Sequence, residues 1–221
     1  KILDRFTIES IESHSKNKCK IVTGTKQAVT EDSLNDILAT AEPQEILEGR
    51  FLSQIGLYGW NKEDAGSRLL AESLPKDIFG HGADFGCGYG YLSRAVLDTC
   101  PKVKSLRLID AERRALTLVQ ENTQGHASKV MPLWDDLLSP DSLPKGLDFI
   151  VMNPPFHGGK NVDHSIGSRF IENAHQALKR YGVLYMVANT HLPYEHTVSK
   201  LFHKFEIKNQ RDGFKVIFAY K

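Results

Sequence analysis

From Pro75 onward the chain alternates short apolar runs with amphipathic helical stretches, and this alternation constrains its fold more than any other feature. Ala83–Phe85, Leu106–Ile109, Lys129–Leu133, Leu147–Met152 and Val183–Ala188 read as strands. Tyr91–Thr99, Ala111–Glu121, Arg169–Lys179 and Tyr194–Phe202 read as helices. Such an alternation implies a parallel sheet whose crossover helices cover both faces. The ending departs from the pattern. Phe205–Asn209 and Phe214–Tyr220 flank a short turn at Arg211–Gly213 and predict an antiparallel hairpin. The expected architecture is a seven-stranded, mostly parallel α/β sheet closed by that hairpin.

Upstream of Pro75 the pattern is less regular. A helix is expected near Glu63–Leu74, with Leu69, Leu70 and Leu74 on one face. An irregular, glycine-bearing stretch, Gly49–Gly59, precedes it. Further upstream stand a strand candidate at Lys18–Thr23 and a helix candidate at Glu31–Ala41, with Thr30 as its N-cap. The chain has 221 residues, enough for one α/β domain with a remainder. We divide it into an extension, 1–43, and a catalytic domain, 44–221. It opens on Lys1 without a signal-peptide pattern, so residues upstream are expected to be missing.

Composition narrows the function classes. The net charge is +1, so nucleic-acid binding would need a local basic patch rather than a global field. Lys160, Arg169, Lys179, Arg180, Lys200, Lys204 and Lys208 are the candidates, against the plainer reading of a solvated face. No apolar run approaches the roughly 20 residues of a membrane helix. Cys19, Cys87 and Cys100 show no CxxC pairing, which argues against a disulfide framework and structural zinc and favours a reducing cytoplasm. His191 and His196 lie five apart with no third ligand, so no metal is expected.

Two segments carry the chemistry. The first is Asp84-Phe85-Gly86-Cys87-Gly88-Tyr89-Gly90, where the first strand of the alternation meets its helix. Glycines there permit positive φ and close approach of a ligand. The spacing is GxGxG, and Tyr91 stands where the dinucleotide fingerprint requires its third glycine, which disfavours a pyrophosphate cradle. A cofactor without phosphate fits better, its amino-acid end against the glycines, with Asp84 engaging that end through its ammonium or a bridging water. A plain structural turn is the competing reading. The Asp-Phe-Gly triplet lacks the HRD and VAIK companions of a kinase. Asp110 ends the second strand about 20 residues beyond the glycines, the place of a ribose-binding acid; the alternative is a cap for the helix from Ala111. Asp135 or Asp136, after the third strand, is a candidate acceptor for an adenine amino group, or else caps Leu137–Leu138.

The second segment is Asn153-Pro154-Pro155-Phe156, directly after Leu147–Met152. The amino group of guanine, adenine or a carboxamide is a poor nucleophile because its lone pair is delocalised. The Asn153 side-chain oxygen and the Pro154 carbonyl can each accept one of its N–H bonds and favour a pyramidal nitrogen. Pro154 and Pro155 fix the loop in advance. Phe156 offers a face for a base to stack on, worth about 1–3 kcal/mol, and His157 follows as a candidate substrate contact. Transfer from a sulfonium needs alignment more than a strong base.

The chain resembles the methyltransferase small-domain family, which includes bacterial small-subunit ribosomal RNA guanine-N2 methyltransferases. The resemblance rests on Gly56-Leu57-Tyr58-Gly59-Trp60 through Asp64-Ala65-Gly66-Ser67, on Asp84 to Gly90, on Asn153 to His157 with Gly159, on Ala188 to Tyr194, and on Gly213-Phe214-Lys215-Val216. NPPF alone is shared with adenine-N6 and protein glutamine-N5 methyltransferases. Tyr58-Gly59 departs from the Phe-Ser pair expected there. The resemblance implies a Rossmann-like class I methyltransferase fold and S-adenosylmethionine held by Asp84, Gly86, Cys87, Gly88, Gly90 and Asp110. It also implies a target amine held by Asn153 to Phe156, and ribosomal RNA as the partner of a monomeric cytoplasmic enzyme. It further implies that Lys1 to about Ala41 is the tail of a degenerate first domain. A non-catalytic module that retains the fold is the remaining alternative, and it has no need of both an intact cofactor loop and an amine site.

Overall fold

The computed structural model describes residues 8–16, 19–26, 35, 38–39, 41–139, 143–155, 157–158, 161–162 and 164–221. The chain forms two compact units, Lys1–Pro43 and Gln44–Lys221. In the first, β1 (Ile8–Lys16) and β2 (Cys19–Lys26) pair antiparallel, with a bulge between Glu9 and Glu12. Of the expected strand Lys18–Thr23, Cys19–Thr23 lie in β2 and Lys18 falls outside the described residues. The partner strand was not expected, because Ile8 and Ile11 stand three apart, a helical rather than a strand spacing. The expected helix Glu31–Ala41 and its Thr30 cap fall largely outside the described residues.

The second unit opens with a small hairpin, β3 (Gln44–Ile46) and β4 (Phe51–Ser53), and β4 falls inside the stretch Gly49–Gly59 expected to be irregular. Next comes α1 (Ala65–Ser73), then β5 (Gly80–Phe85), α2 (Tyr91–Thr99), β6 (Val103–Asp110), α3 (Arg113–Asn122), β7 (Val130–Trp134) and β8 (Leu147–Met152). A two-residue pair, β9 (His157–Gly158) and β10 (Asn161–Val162), leads to α4 (His164–Ala177), β11 (Leu178–Asn189), α5 (Tyr194–Leu201), β12 (Lys204–Arg211) and β13 (Phe214–Tyr220). The seven-stranded sheet runs β12-β13-β11-β8-β5-β6-β7. The five strands β11 to β7 are mutually parallel; β13 is antiparallel to both β11 and β12.

Side-chain alternation along β8 shows how the sheet is sealed. Phe149 and Val151 join Leu69 and Leu70 of α1 and Val96 of α2 on one face. Ile150 and Met152 join Ile171 and Ala174 of α4 and Val198 of α5 on the other. All four β8 side chains are at most 2% exposed, so both faces are dry, as a parallel sheet requires.

Two boundaries differ from expectation for identifiable reasons. α3 starts at Arg113, not Ala111, because the Glu112 side chain caps the Arg114 N–H. The helix expected at Arg169–Lys179 ends at Ala177, where β11 begins. Tyr181 adopts φ 67°, and the register of β11 on β8 shifts between Leu178 and Val183.

Candidate active site at the switch point of the sheet

From β5 the chain builds outward through β6 to β7, then returns to place β8 on the other side of β5. At such a switch point the loops leaving two neighbouring parallel strands diverge and open a crevice. Phe85 and Met152, the last residues of β5 and β8, are register partners. Gly86 and Asn153 are therefore the first residues beyond the sheet on adjacent strands, and both line one cavity of about 310 Å³.

The glycine loop is held from behind. The Gly86 and Cys87 N–H groups donate to the Ile109 carbonyl at 2.9 and 3.1 Å, and Gly90 N–H donates to the Cys87 carbonyl at 2.9 Å. Gly88 and Gly90 are glycines for different reasons. Gly90, at φ 97°, has no room, since a Cβ there would meet Val119 Cγ2 at 2.5 Å. Gly88, at φ 52°, has nothing within 4 Å of that position, which leaves its backbone open to the cavity. Cys87 lines the cavity, and burial raises its thiol pKa.

Asp84 forms the floor and is 1% exposed. Its Oδ2 accepts from Ser93 Oγ at 2.5 Å, while its Oδ1 has no hydrogen-bond partner within the fold. Burial pushes its carboxyl up to about 7; the Ser93 hydrogen bond opposes this, and the Asp110 charge adds to it. A buried carboxylate oxygen without a donor is costly, and an ammonium group entering the cavity would relieve it. Asp110 also lines the cavity. Its Oδ2 accepts from Gly88 N–H at 2.8 Å and its Oδ1 from Glu112 N–H at 2.9 Å. Each oxygen keeps a further lone pair, so the carboxylate braces the loop and can still accept from two hydroxyls.

Across the crevice, the Asn153 Nδ2 donates to Asp64 Oδ2 at 2.8 Å and Ser67 Oγ at 2.9 Å. Both amide hydrogens are thereby engaged, and Oδ1 is left as the acceptor. Pro154 and Pro155 continue the wall. The rest comes from segments that composition did not single out. Gly56, Leu57, Tyr58 and Gly59 line the mouth. Tyr89 packs edge-on to Phe51 at 5.6 Å, and Tyr91 stacks on the same ring at 5.7 Å, its hydroxyl donating to Glu63 at 2.7 Å. Asn122 ties this corner together. Its amide exchanges two bonds with the Leu52 backbone, 2.7 and 2.8 Å, and donates to the Tyr89 carbonyl at 2.7 Å.

Of the residues expected at the site, Asp84, Gly86, Cys87, Gly88, Asp110, Asn153, Pro154 and Pro155 converge on this cavity. Gly90 is not among its described lining residues. Asp135 and Asp136 are not among its described lining residues; the Asp136 carboxylate accepts from Leu138 N–H at 2.9 Å. Phe156 and the side chain of His157 fall outside the described residues. Asp64, Ser67, Asn122, Tyr89 and Glu112 were missed as site residues. Asp64 and Ser67 carried a usable signal, an acidic N-cap three residues before its partner.

Among the described residues, none of the basic candidates lines the cavity. Lys179, Arg180 and Lys204 stand near the starts of β11 and β12, at the end of the sheet away from the crevice, and Lys179 pairs with Asp148. Arg169 donates to the Leu138 carbonyl, and Lys160 falls outside the described residues. Among the described residues, no cluster of three or more His, Cys, Asp or Glu could hold a metal, and no helix is long and apolar enough to cross a membrane.

The methyltransferase small domain family matches residues 48–218. The ribosomal RNA small subunit methyltransferase C of Shewanella denitrificans is 32% identical over 162 residues, covering 73% of this chain and 46% of that protein. The protein of the same description from Acinetobacter baylyi is 32% identical over 166 residues, covering 74% and 48%. The chain thus spans about half the length of the curated relatives it matches. Among solved structures, the T. thermophilus 16S ribosomal RNA guanine-N2 methyltransferase, in complex with AdoMet and guanosine, superposes with a TM-score of 0.66 at 22% identity. That match covers 96% of this chain and 50% of the other. At that identity the likeness shows the fold.

Proposed function

The chain belongs to the methyltransferase small domain family, and on that footing we propose that it transfers a methyl group from S-adenosylmethionine to an exocyclic amino nitrogen, guanine N2 of small-subunit ribosomal RNA. One observation carries the reading. Asn153 and the open glycine loop share a cavity, and both N–H groups of the Asn153 amide are already engaged. The small-subunit ribosomal RNA assignment rests on the relatives' descriptions, and guanine N2 follows the T. thermophilus enzyme whose fold this chain shares. The same reading takes Lys1–Pro43 as the tail of a preceding cofactor-free domain, which the division of the chain at Pro43 supports.

The cavity's donors and acceptors fit the cofactor. The unpaired Asp84 Oδ1 would take its ammonium group, the free lone pairs of Asp110 its ribose hydroxyls, and the uncrowded Gly88 backbone its amino-acid end. Bound there, S-adenosylmethionine supplies an electrophilic methyl group on a positively charged sulfur. Asn153 Oδ1 accepts one hydrogen of the target amine and the Pro154 carbonyl the other. Two fixed acceptors draw the nitrogen towards a pyramidal geometry and free its lone pair for attack. Methylation leaves a proton on the nitrogen, and Asn153 Oδ1 stabilises that transient cation until solvent removes the proton. Asp84 stays ionised beside the ammonium, and the apolar wall of Leu57, Leu92 and Ala115 limits water.

The test is methyl transfer from labelled S-adenosylmethionine to small-subunit ribosomal RNA from a strain lacking N2-methylguanine, followed by nucleoside mass spectrometry. We expect N2-methylguanosine. N6-methyladenosine, or label found only in protein, would assign the site to another amine. Failure to bind the cofactor in calorimetry would leave only a non-catalytic module.

A further inference from the structure

We propose that Asp64 and Ser67 are positioning residues that set the orientation of the Asn153 amide, so that its oxygen and never its nitrogen meets the target amine. The inference rests on Asn153 being the amine acceptor. A side-chain amide has nearly equal shape when turned by 180°, and the turned form would present an N–H donor to an amine that itself donates. The partners across the crevice distinguish the two orientations. A carboxylate only accepts, so Asp64 Oδ2 at 2.8 Å selects Nδ2. Ser67 Oγ, at 2.9 Å, accepts the second N–H.

The two partners are fixed by the start of α1. Asp64 is its N-cap, and the same Oδ2 accepts from Ser67 N–H at 2.7 Å, which brings residues three apart onto one side of the helix start. Burial and the neighbouring Asp64 carboxylate raise the pKa of the Tyr58 phenol. Leu69 and Leu70, at most 1% exposed, anchor the helix to the sheet that also carries Asn153. Helix and loop are thus registered through one rigid core, and the amide is turned before any substrate arrives.

Four variants of the protein test this: Asp64→Asn, Asp64→Ala, Ser67→Ala and Asn153→Asp. Each is assayed for kcat and KM on ribosomal RNA, for cofactor Kd by calorimetry, and for thermal melting. Asp64→Asn keeps an oxygen that can accept both N–H groups, so its kcat stays within about threefold of wild type. Asp64→Ala lowers kcat by about 30-fold or more, and Ser67→Ala by about 5- to 10-fold, with KM and cofactor Kd within about twofold. Asn153→Asp sets two carboxylates at hydrogen-bonding distance and lowers kcat by about 100-fold; adding Asp64→Asn recovers at least about tenfold, because an amide can donate to the new carboxylate. Ser67→Ala keeps the helix cap, so that variant and the Asn153 pair decide the matter even if Asp64→Ala unfolds.

Wild-type kcat in Asp64→Ala and Ser67→Ala, a loss confined to KM or Kd, or an Asn153→Asp defect indifferent to residue 64 overturns the proposal. Asn153→Ala serves as the reference. If it keeps full turnover, the amine-acceptor reading fails and this inference fails with it. If it is inactive while the Asp64 and Ser67 variants are normal, only the positioning role fails.

Discussion

If Asp84 takes the cofactor's ammonium group as proposed, cofactor affinity depends on pH in a direction the structure dictates. In the free protein burial holds its carboxyl at about 7, because one oxygen has only Ser93 and the other has no donor. The folded pKa lies above the unfolded value of 3.8, so the fold favours the protonated form. Its contribution to stability is therefore largest below about pH 4 and declines as pH rises to about 7. The decline is about 1.4 kcal/mol per unit, roughly 4 kcal/mol in all. A bound ammonium group reverses the preference, since it pairs with the ionised carboxylate, and binding must then expel a proton. Below pH 7 the apparent Kd should rise about tenfold per unit, reaching about 30-fold at pH 5.5, and level off near pH 7. Calorimetric titration with S-adenosylmethionine, in buffers of different ionisation enthalpy, measures both the slope and the proton released. Asp84→Asn, which cannot ionise, should bind weakly and without that slope. A flat wild-type profile, or an unchanged slope in Asp84→Asn, would refute the assignment of Asp84 to the ammonium group.

Three further outcomes follow from the geometry. Asn153→Ala should abolish turnover while cofactor Kd, by calorimetry, changes less than about threefold, because in the proposed reading the residue holds the target amine and not the cofactor. Gly88→Ala and Gly90→Ala should separate by mechanism. The first costs about 1–2 kcal/mol of stability from its positive φ yet eliminates cofactor binding, whereas the second adds a clash with Val119 and melts much earlier; equal melting temperatures would contradict this. Asn122→Ala leaves three backbone groups of Leu52 and Tyr89 unpaired and should cost about 2–4 kcal/mol, a fall in Tm of about 5–12 °C.

The sheet was legible because dry strands leave a nearly continuous apolar signal, as in Leu147–Met152, where Asp148 is the one polar residue and prediction and structure coincide. The strand ends were less so. Gly80, His81 and Gly82 extend β5 without strand-forming side chains, held by pairing with β6 and a hydrogen bond from His81 N–H to Asp148. At the cavity, Asp84, Gly86, Cys87 and Gly88 of one short motif stand with Asn153, Pro154 and Pro155 of the other, since glycines and prolines encode backbone shape locally. The residues that complete it act across long sequence separations. Asn153 meets Asp64 across 89 positions, and Asn122 meets Leu52 across 70. No local pattern announces such pairs; the topology that brings β8 beside β5 and α1 over the crevice creates them. The glycine-bearing stretch before α1 read as irregular because β4 has only three residues, and Phe51 earns its place by stacking on Tyr91 rather than by strand propensity.

A crystal structure of the protein with S-adenosylhomocysteine and guanosine measures the central geometry directly. The account predicts the guanine N2 amine within about 3 Å of both Asn153 Oδ1 and the Pro154 carbonyl oxygen, on the side of the crevice facing the glycine loop. A guanosine bound with its amine turned away from Asn153, or with Nδ2 rather than Oδ1 towards it, would contradict the account.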